Sequence, residues 1–267
     1  MWRPYSLGRL LVAPGREVRG FNILLEKDNL AQTLKIILDH FLHNNIPVVF
    51  VEASHKKNST TVIVFADFTD NLDKVAGILS SIKALSGVTE AHLIEPIFNG
   101  VLIDYYSFPL VFGPGRAIVM PEPVYSSLVK HPVDKFGLGF TAVNYMFGYE
   151  TGLRSFKAHL KLAEGDILKT LEFTVKVFTL AGYGKFEPTV FNVEEELAEV
   201  KVYNNFECEL QRNAGRASGH FTRGLIAGWL AAAVGKKSIK VECEETMCIA
   251  KGDPYCYFIA RTLEKAQ

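Results

Sequence analysis

The chain has 267 residues, 48% hydrophobic and 22% charged, with a net charge of zero. That composition is enough to fill one large globular core or two ordinary ones, and it excludes the basic excess of a nucleic-acid-binding surface. The longest apolar runs fall well short of the roughly 20 residues that span a bilayer, and the opening stretch "MWRPYSLGRLLVAPGREVRG" lacks the apolar core of a signal peptide. A cytoplasmic protein with no membrane span and no direct nucleic-acid contact is expected.

Residues 20 to 97 alternate as strand and helix. "FNILLE" reads as a strand. "DNLAQTLKIILDHFLHNN" reads as a helix with Leu30, Leu34, Ile37 and Phe41 on one stripe, capped by Asp28 or Asn29. "PVVFVEA" and "TTVIVFADF" carry the Val and Phe content of strands, with "SHKKNS" as the hairpin between them. "DNLDKVAGILSSIKAL" is a second helix on Leu72, Val75, Leu79 and Ile82, and "VTEAHLIEPI" is a closing strand. This β-α-β-β-α-β order is the ferredoxin-like arrangement, and in topology it resembles the ACT family of small regulatory domains. The glycine that ACT domains carry near the first helix is missing from "EKDNLAQ". Amino-acid binding therefore does not carry over, and a dimerisation or docking module is expected.

Gly and Pro in "FNGVLIDYYSFPLVFGPGRAIVMPEP" mark a junction and a hairpin around Gly113-Pro114-Gly115. The expected domains are 1–100 and 101–267. In the second, "VYSSLVKHPVDKFG" is partly helical and interrupted by Pro132. "FTAVNYMFGYETGLRSFKAHLKL" is a long helix with Tyr145, Tyr149, Gly152 and Phe156 on one face. Gly148 and Gly152, four apart, each cost about 1 kcal/mol of helix propensity against alanine, which implies close packing or room for a bound molecule. "DILKTLEFTVKVFTLAG" is a helix capped by Asp166 and stopped at Gly182. "KFEPTVFNV" and "AEVKVYNNFECEL" read as strands, the latter with Val200, Val202, Phe206, Cys208 and Leu210 on one face. "HFTRGLIAGWLAAAVG" is a helix. "KSIKVECEE" puts Ile239, Val241, Cys243 and Glu245 on one strand face, and "YCYFIAR" aligns Cys256, Phe258 and Ala260.

The motifs "NYMFGYETG", "NNFECEL", "HFTRGLIAGWL" and above all "VECEETMCIAKGDPYCYF" resemble the 4-vinyl reductase domain family over about residues 105 to 262. The resemblance implies an α/β domain with an antiparallel sheet, packed helices and an apolar cavity for a small hydrophobic molecule, so that, with the ferredoxin-like domain read from the first hundred residues, the expected class of the chain is α+β. Members include the sensor domains of phenol- and toluene-responsive activators, and the fold is similar to subunits of the vesicle-tethering TRAPP complex. Tyr145, Tyr149, Phe156, Phe178 and Trp229 are the candidates to line such a cavity, with His159 or His220 to orient a polar head. Against this stands the ordinary use of aromatic residues at helical spacing as plain core.

All four cysteines, Cys208, Cys243, Cys248 and Cys256, lie in the last quarter of the chain. In a cytosolic protein that favours metal ligation or burial over disulfides. The resemblance implies zinc held by a glutamate, two motif cysteines eight apart and a cysteine at the head of the "HFTRG" helix. Glu245, Cys248 and Cys256 match. The helix head reads Gly219-His220 instead, and His220, Cys208 and Cys243 stand as alternative fourth ligands for a tetrahedral site. Cys248 and Cys256 are expected on adjacent antiparallel segments joined by the Gly252-Asp253-Pro254 turn, with Glu245 facing the same space.

The leading functional expectation is a sensor or carrier of an aromatic or acyl ligand, signalling through the first domain by way of a homodimer or a partner protein. A tetrapyrrole vinyl reductase and a scaffold with a permanently filled pocket are the alternatives. No catalytic residue stands out. A reductase needs an electron donor, and the chain has neither a GxGxxG fingerprint nor a convincing Fe–S cysteine pattern. Gly113-Pro114-Gly115-Arg116 lacks the Walker lysine, and no G-x-S-x-G elbow is present.

Overall fold

The computed structural model describes residues 7–26, 30–56, 58–236 and 240–263. Contacts divide the chain between Ile118 and Val119. The segment after residue 100 stays with the first unit because β1 (Leu10–Val12) pairs antiparallel with a strand at Val101–Ile103.

The first unit is built on β2 (Val18–Glu26), α1 (Leu30–His43), β3 (Val48–Lys56), β4 (Ser59–Asp67), α2 (Val75–Lys83) and β5 (Val88–Ile94). The sheet order β3-β4-β2-β5 is antiparallel throughout and is that of the ferredoxin-like fold. Phe21, Ile23, Leu25, Val62, Val64 and Ala66 meet Ile37 and Phe41 of α1 and Ile78 and Ile82 of α2 in one core. The other strand phase, Ile63, Phe65 and Ile94, is covered by Leu11, Ala13 and Leu102. Both faces of the sheet are thus buried, which explains why these strands read as nearly continuous apolar runs rather than alternating ones. The helix cap assigned to Asp28 or Asn29 lies outside the described residues, as does Ile239. β6 is Val101–Ile103, and β7 (Val111–Phe112) and β8 (Gly115–Arg116) form the expected short hairpin.

The second unit runs α3 (Glu122–Phe136), α4 (Leu138–Leu162), α5 (Ile167–Leu180), β9 (Lys185–Asn192), β10 (Leu197–Tyr203), α6 (Phe206–Glu209), α7 (His220–Val234), β11 (Val241–Met247) and β12 (Cys256–Thr262). The antiparallel sheet has the order β11-β12-β10-β9. Helix α7 lies on its inner face, with α4 packed on the other side of α7. The glycines of both helices make that second contact possible. A Cβ on Gly148 or Gly152 would stand 2.0 Å from Phe221 O or 2.2 Å from Leu225 O, and one on Gly224 or Gly228 would stand 2.0 Å from Tyr145 O or 2.3 Å from Tyr149 O. Close packing, the first of the two reasons anticipated for these glycines, is what they provide.

Two elements differ from expectation. Helix α3 continues through Pro132. The hydrogen bond it forgoes would have gone to the carbonyl of Leu128, an exposed residue whose backbone water can satisfy. The chain after β10 does not stay extended. Asn204 takes a left-handed φ of 48°, and residues 206–209 coil into α6. That turn moves Cys208 off the strand face assigned to it. Among the described residues, no helix is long and apolar enough to cross a membrane.

Candidate functional site

Four buried side chains converge at the head of α7. The Sγ atoms of Cys208, Cys248 and Cys256 and a carboxylate oxygen of Glu245 all lie within 4.8 Å of one another. Cys208 comes from α6, Glu245 from β11, Cys248 from the coil that follows β11, and Cys256 from the start of β12. Alternation along β11 buries Cys243 and Glu245 and exposes Glu242 and Glu244. A bulge between Glu245 and Met247 then lets the chain leave the sheet at Cys248.

The expected turn joins the two motif cysteines, and its details can be read from the bonds. Cys248 O accepts from Lys251 N at 2.9 Å and from Asp253 N at 3.2 Å, and Cys248 N donates to Asp253 Oδ2 at 2.7 Å. Gly252 takes a φ of 102°, a conformation that only glycine adopts without strain. The Asp253 side chain closes the turn on Cys248 and so fixes where that sulfur points.

The electrostatics follow from burial. Gly219 N donates to Glu245 Oε2 at 2.8 Å, and the Cys208 thiol approaches Glu245 Oε1 at 3.4 Å. Burial nevertheless pushes the Glu245 carboxyl up to about 8. Hydrogen bonds from the Cys208 and Cys256 thiols hold Cys248 well below the ordinary thiol range, and the bond to Cys248 drives Cys208 upward. Cys248 thus accepts from both neighbouring thiols, beside a carboxyl that burial raises.

A second buried carboxylate sits at the same helix end. Glu207 accepts from Phe221 N at 2.9 Å and Thr222 N at 3.2 Å, first-turn amides that have no partner within the helix. Burial pushes its carboxyl up to about 7 against those donors. Sequence reading missed Glu207. In "NNFECEL" read as a strand it falls on the outward face, and only the helical turn of α6 sends it inward.

Among the proposed fourth ligands, Cys208 alone joins the group. His220 opens α7 half-buried, with its imidazole pushed down to about 4 by burial and then by Arg223 and Arg216. Cys243 is buried in the core of the second unit, and burial raises its thiol. A Cβ on Gly219 would stand 3.0 Å from both Glu245 Oε1 and Phe258 Cζ. A side chain at the helix head would point at the carboxylate of this same cluster, and with none there the sulfur arrives from α6 instead. The donor set suits a metal. A tetrahedron with metal–sulfur bonds of about 2.3 Å has edges of about 3.8 Å, so modest contraction of the four atoms would complete it.

The aromatic candidates are dispersed around α7. Trp229 is fully buried against Phe178 (ring centroids 5.5 Å apart) and Phe186 (5.3 Å), and its Nε1 has no hydrogen-bond partner. Phe156, also fully buried, stacks on Phe191. His159 Nδ1 lies 2.8 Å from Thr174 Oγ1, and burial lowers its pKa. Tyr145 donates to Val241 O at 3.1 Å beneath the Arg223 guanidinium, and burial raises its phenol to about 12. Tyr149 is half-buried beside the same core.

A four-stranded antiparallel sheet, a central glycine-packed helix pair and a buried Cys/Glu cluster that could hold a metal define a mixed α/β domain of one recognisable type. The family model for the 4-vinyl reductase domain matches residues 198–262. An uncharacterized protein of Methanocaldococcus jannaschii is 31% identical over 129 residues, which cover 48% of this chain and 69% of that protein. The chain belongs to the 4-vinyl reductase domain family. Among solved structures, the phenol-responsive sensory domain of the transcription activator PoxR with phenol is similar at a TM-score of 0.52 and 21% identity. That likeness covers 59% of this chain and 82% of that one, and it is a likeness of fold. A vinyl-4-reductase family protein from M. jannaschii matches at a TM-score of 0.37 and 16% identity, covering 55% of this chain and 85% of that one.

Proposed function

We propose that the second unit, residues 119–267, forms a sensor or carrier module for a small hydrophobic molecule, aromatic or acyl, stabilised by a structural zinc ion on Cys208, Glu245, Cys248 and Cys256. The observation that carries the reading is the convergence of these four buried donors at the head of the helix that carries Trp229 into the aromatic core. A closed four-ligand zinc site cross-links chain segments and leaves no open position for chemistry. Here it would tie α6, β11 and β12 together beneath α7.

In this reading Tyr145, Tyr149, Phe156, Phe178 and Trp229 line the ligand, and His159 orients a polar head. The unpartnered Trp229 Nε1 supports it, because a buried donor without an acceptor costs free energy that a ligand oxygen would recover. Fold likeness to a sensory domain that binds phenol lends support of a general kind. The first unit, residues 1–118, acts as the ACT-like module through which occupancy is transmitted in a homodimer, in the cytoplasm. Native mass spectrometry before and after organic extraction, with a thermal-shift screen of aromatic and acyl compounds, tests the ligand. A chain that is always ligand-free and never shifts overturns it. Metal analysis of protein never exposed to chelator tests the zinc separately.

A further inference from the structure

The cysteine cluster has a property that a purely structural metal site does not need. Three thiols lie within 4.8 Å of one another, so two can react with each other and leave the third in place. We propose that this is also a redox-modification site, at which a hydroperoxide closes a reversible disulfide between Cys248 and Cys256. The proposal rests on the three thiols; only its consequence for a bound ion rests on the zinc reading above.

The pairing follows from the geometry. Cys248 and Cys256 stand at the two ends of the short 249–255 turn, whereas Cys208 arrives on a separate segment, α6, where its thiol also approaches Glu245 Oε1 at 3.4 Å. Two exposed stretches, residues 212–216 and 251–252, adjoin Cys208 and Cys248 along the chain and are joined by the bond from Gly215 N to Ala250 O at 3.2 Å. The sulfurs are fully buried, so the reaction proceeds through local opening of these stretches, which costs less than global unfolding.

The chemistry balances. Cys248 sulfur attacks the O–O bond of the hydroperoxide. An S–O bond forms, the O–O bond breaks and the departing oxygen takes the thiol proton, giving a sulfenic acid and an alcohol or water. Cys256 sulfur then attacks the sulfenic sulfur. The S–S bond forms, the S–O bond breaks and water leaves with the second thiol proton. The two thiols lose two electrons and the hydroperoxide gains them. A small-molecule thiol reverses the bridge by exchange. Two of four donors are withdrawn while it lasts, and Cys208 and Glu245 alone do not make a closed tetrahedral site.

The full chain, prepared both chelator-stripped and zinc-loaded, is treated with a small excess of hydrogen peroxide, alkylated, and mapped by peptide mass spectrometry. In the stripped protein the alkylatable thiols fall from four to two, the bridge maps to Cys248–Cys256, and dithiothreitol restores all four. In the loaded protein the same bridge forms and zinc appears on a colorimetric chelator. Protein that takes up no zinc defeats the metal reading and leaves the stripped arm to decide this one. Cys243→Ala still forms the bridge, whereas Cys248→Ser, with folding checked by circular dichroism, keeps every remaining thiol alkylatable. Four alkylatable thiols in stripped wild type after peroxide, or a bridge that includes Cys208 or Cys243, overturns the proposal.

Discussion

Replacement of Cys208 by alanine separates a sulfur that only packs from one that also holds an ion. In chelated protein the change deletes one buried Sγ from a well-packed site, and loss of a single heavy atom of that size costs about 1 kcal/mol. In metal-loaded protein the cost is larger. With free zinc held at about a thousand times its dissociation constant, binding adds about 4 kcal/mol to the stability of the wild type. A variant with three donors, one of them a carboxylate, forfeits most of that. For a unit of this size each kcal/mol moves the melting temperature by about 2–4 °C. Wild type therefore gains about 8–16 °C on zinc addition, and Cys208→Ala gains almost none. Differential scanning calorimetry of both proteins, with zinc and with chelator, measures the four values. A variant whose zinc-dependent shift matches that of the wild type refutes the assignment of Cys208 as fourth ligand.

In the double variant Cys208→Ala, Gly219→Cys, the new sulfur sits beside the Glu245 carboxylate, and the zinc-dependent shift returns at least in part; equilibrium dialysis that finds no recovered zinc contradicts this placement. Burial holds the Glu207 carboxyl near 7, above its ordinary value of about 4.5. The folded state therefore binds a proton that the unfolded state has lost, and Glu207 accounts for a loss of about 3 kcal/mol in chelated protein as pH rises through that window. Denaturant titrations at several pH values show the decline, to which the raised Glu245 carboxyl adds, and Glu207→Gln removes only its own share. Gly224→Ala places a Cβ 2.0 Å from Tyr145 O. Because a backbone oxygen cannot rotate away, it destabilises by about 1–3 kcal/mol or more in spite of the gain of about 1 kcal/mol in helix propensity, as chemical denaturation can measure. Trp229→Phe removes the unpartnered Nε1 and costs under about 1.5 kcal/mol in ligand-free protein, while it weakens any ligand that accepts from that nitrogen.

Much of this architecture was legible because each signal was local. The stripe Leu30, Leu34, Ile37 and Phe41 declares α1. The Asp166 cap, which accepts from Lys169 N at 3.0 Å, and the stop at Gly182, with a φ of 88°, bound α5. The turn between Cys248 and Cys256 is written in Gly252-Asp253-Pro254. The identity of the fourth donor was not legible, because it depends on whether residues 206–209 extend or coil. Alternation through "KVYNNFECEL" is interrupted only by Asn204-Asn205, a pair that tolerates a left-handed turn, and the apolar phase that resumes at Phe206 masks that signal. The same turn hid Glu207. Continuation of α3 through Pro132 escaped for a related reason: a proline ends a helix only where the lost hydrogen bond cannot be replaced, and exposure at Leu128 lets water replace it.

The reciprocal glycine contact between α4 and α7 has a mechanical consequence. Each backbone rests on the other with no side chain between them to change rotamer, so the two helices have no soft layer in which to absorb a displacement. They act as one lever. At 1.5 Å per residue, α4 alone is about 37 Å long, and a tilt imposed where α7 starts, beside Glu207 and Glu245, is delivered undiminished to the far end at Leu162. A spin label on the exposed Leu162 of α4, paired with one on the exposed Thr189 of β9, would register movement at the cysteine cluster from a position that touches none of it.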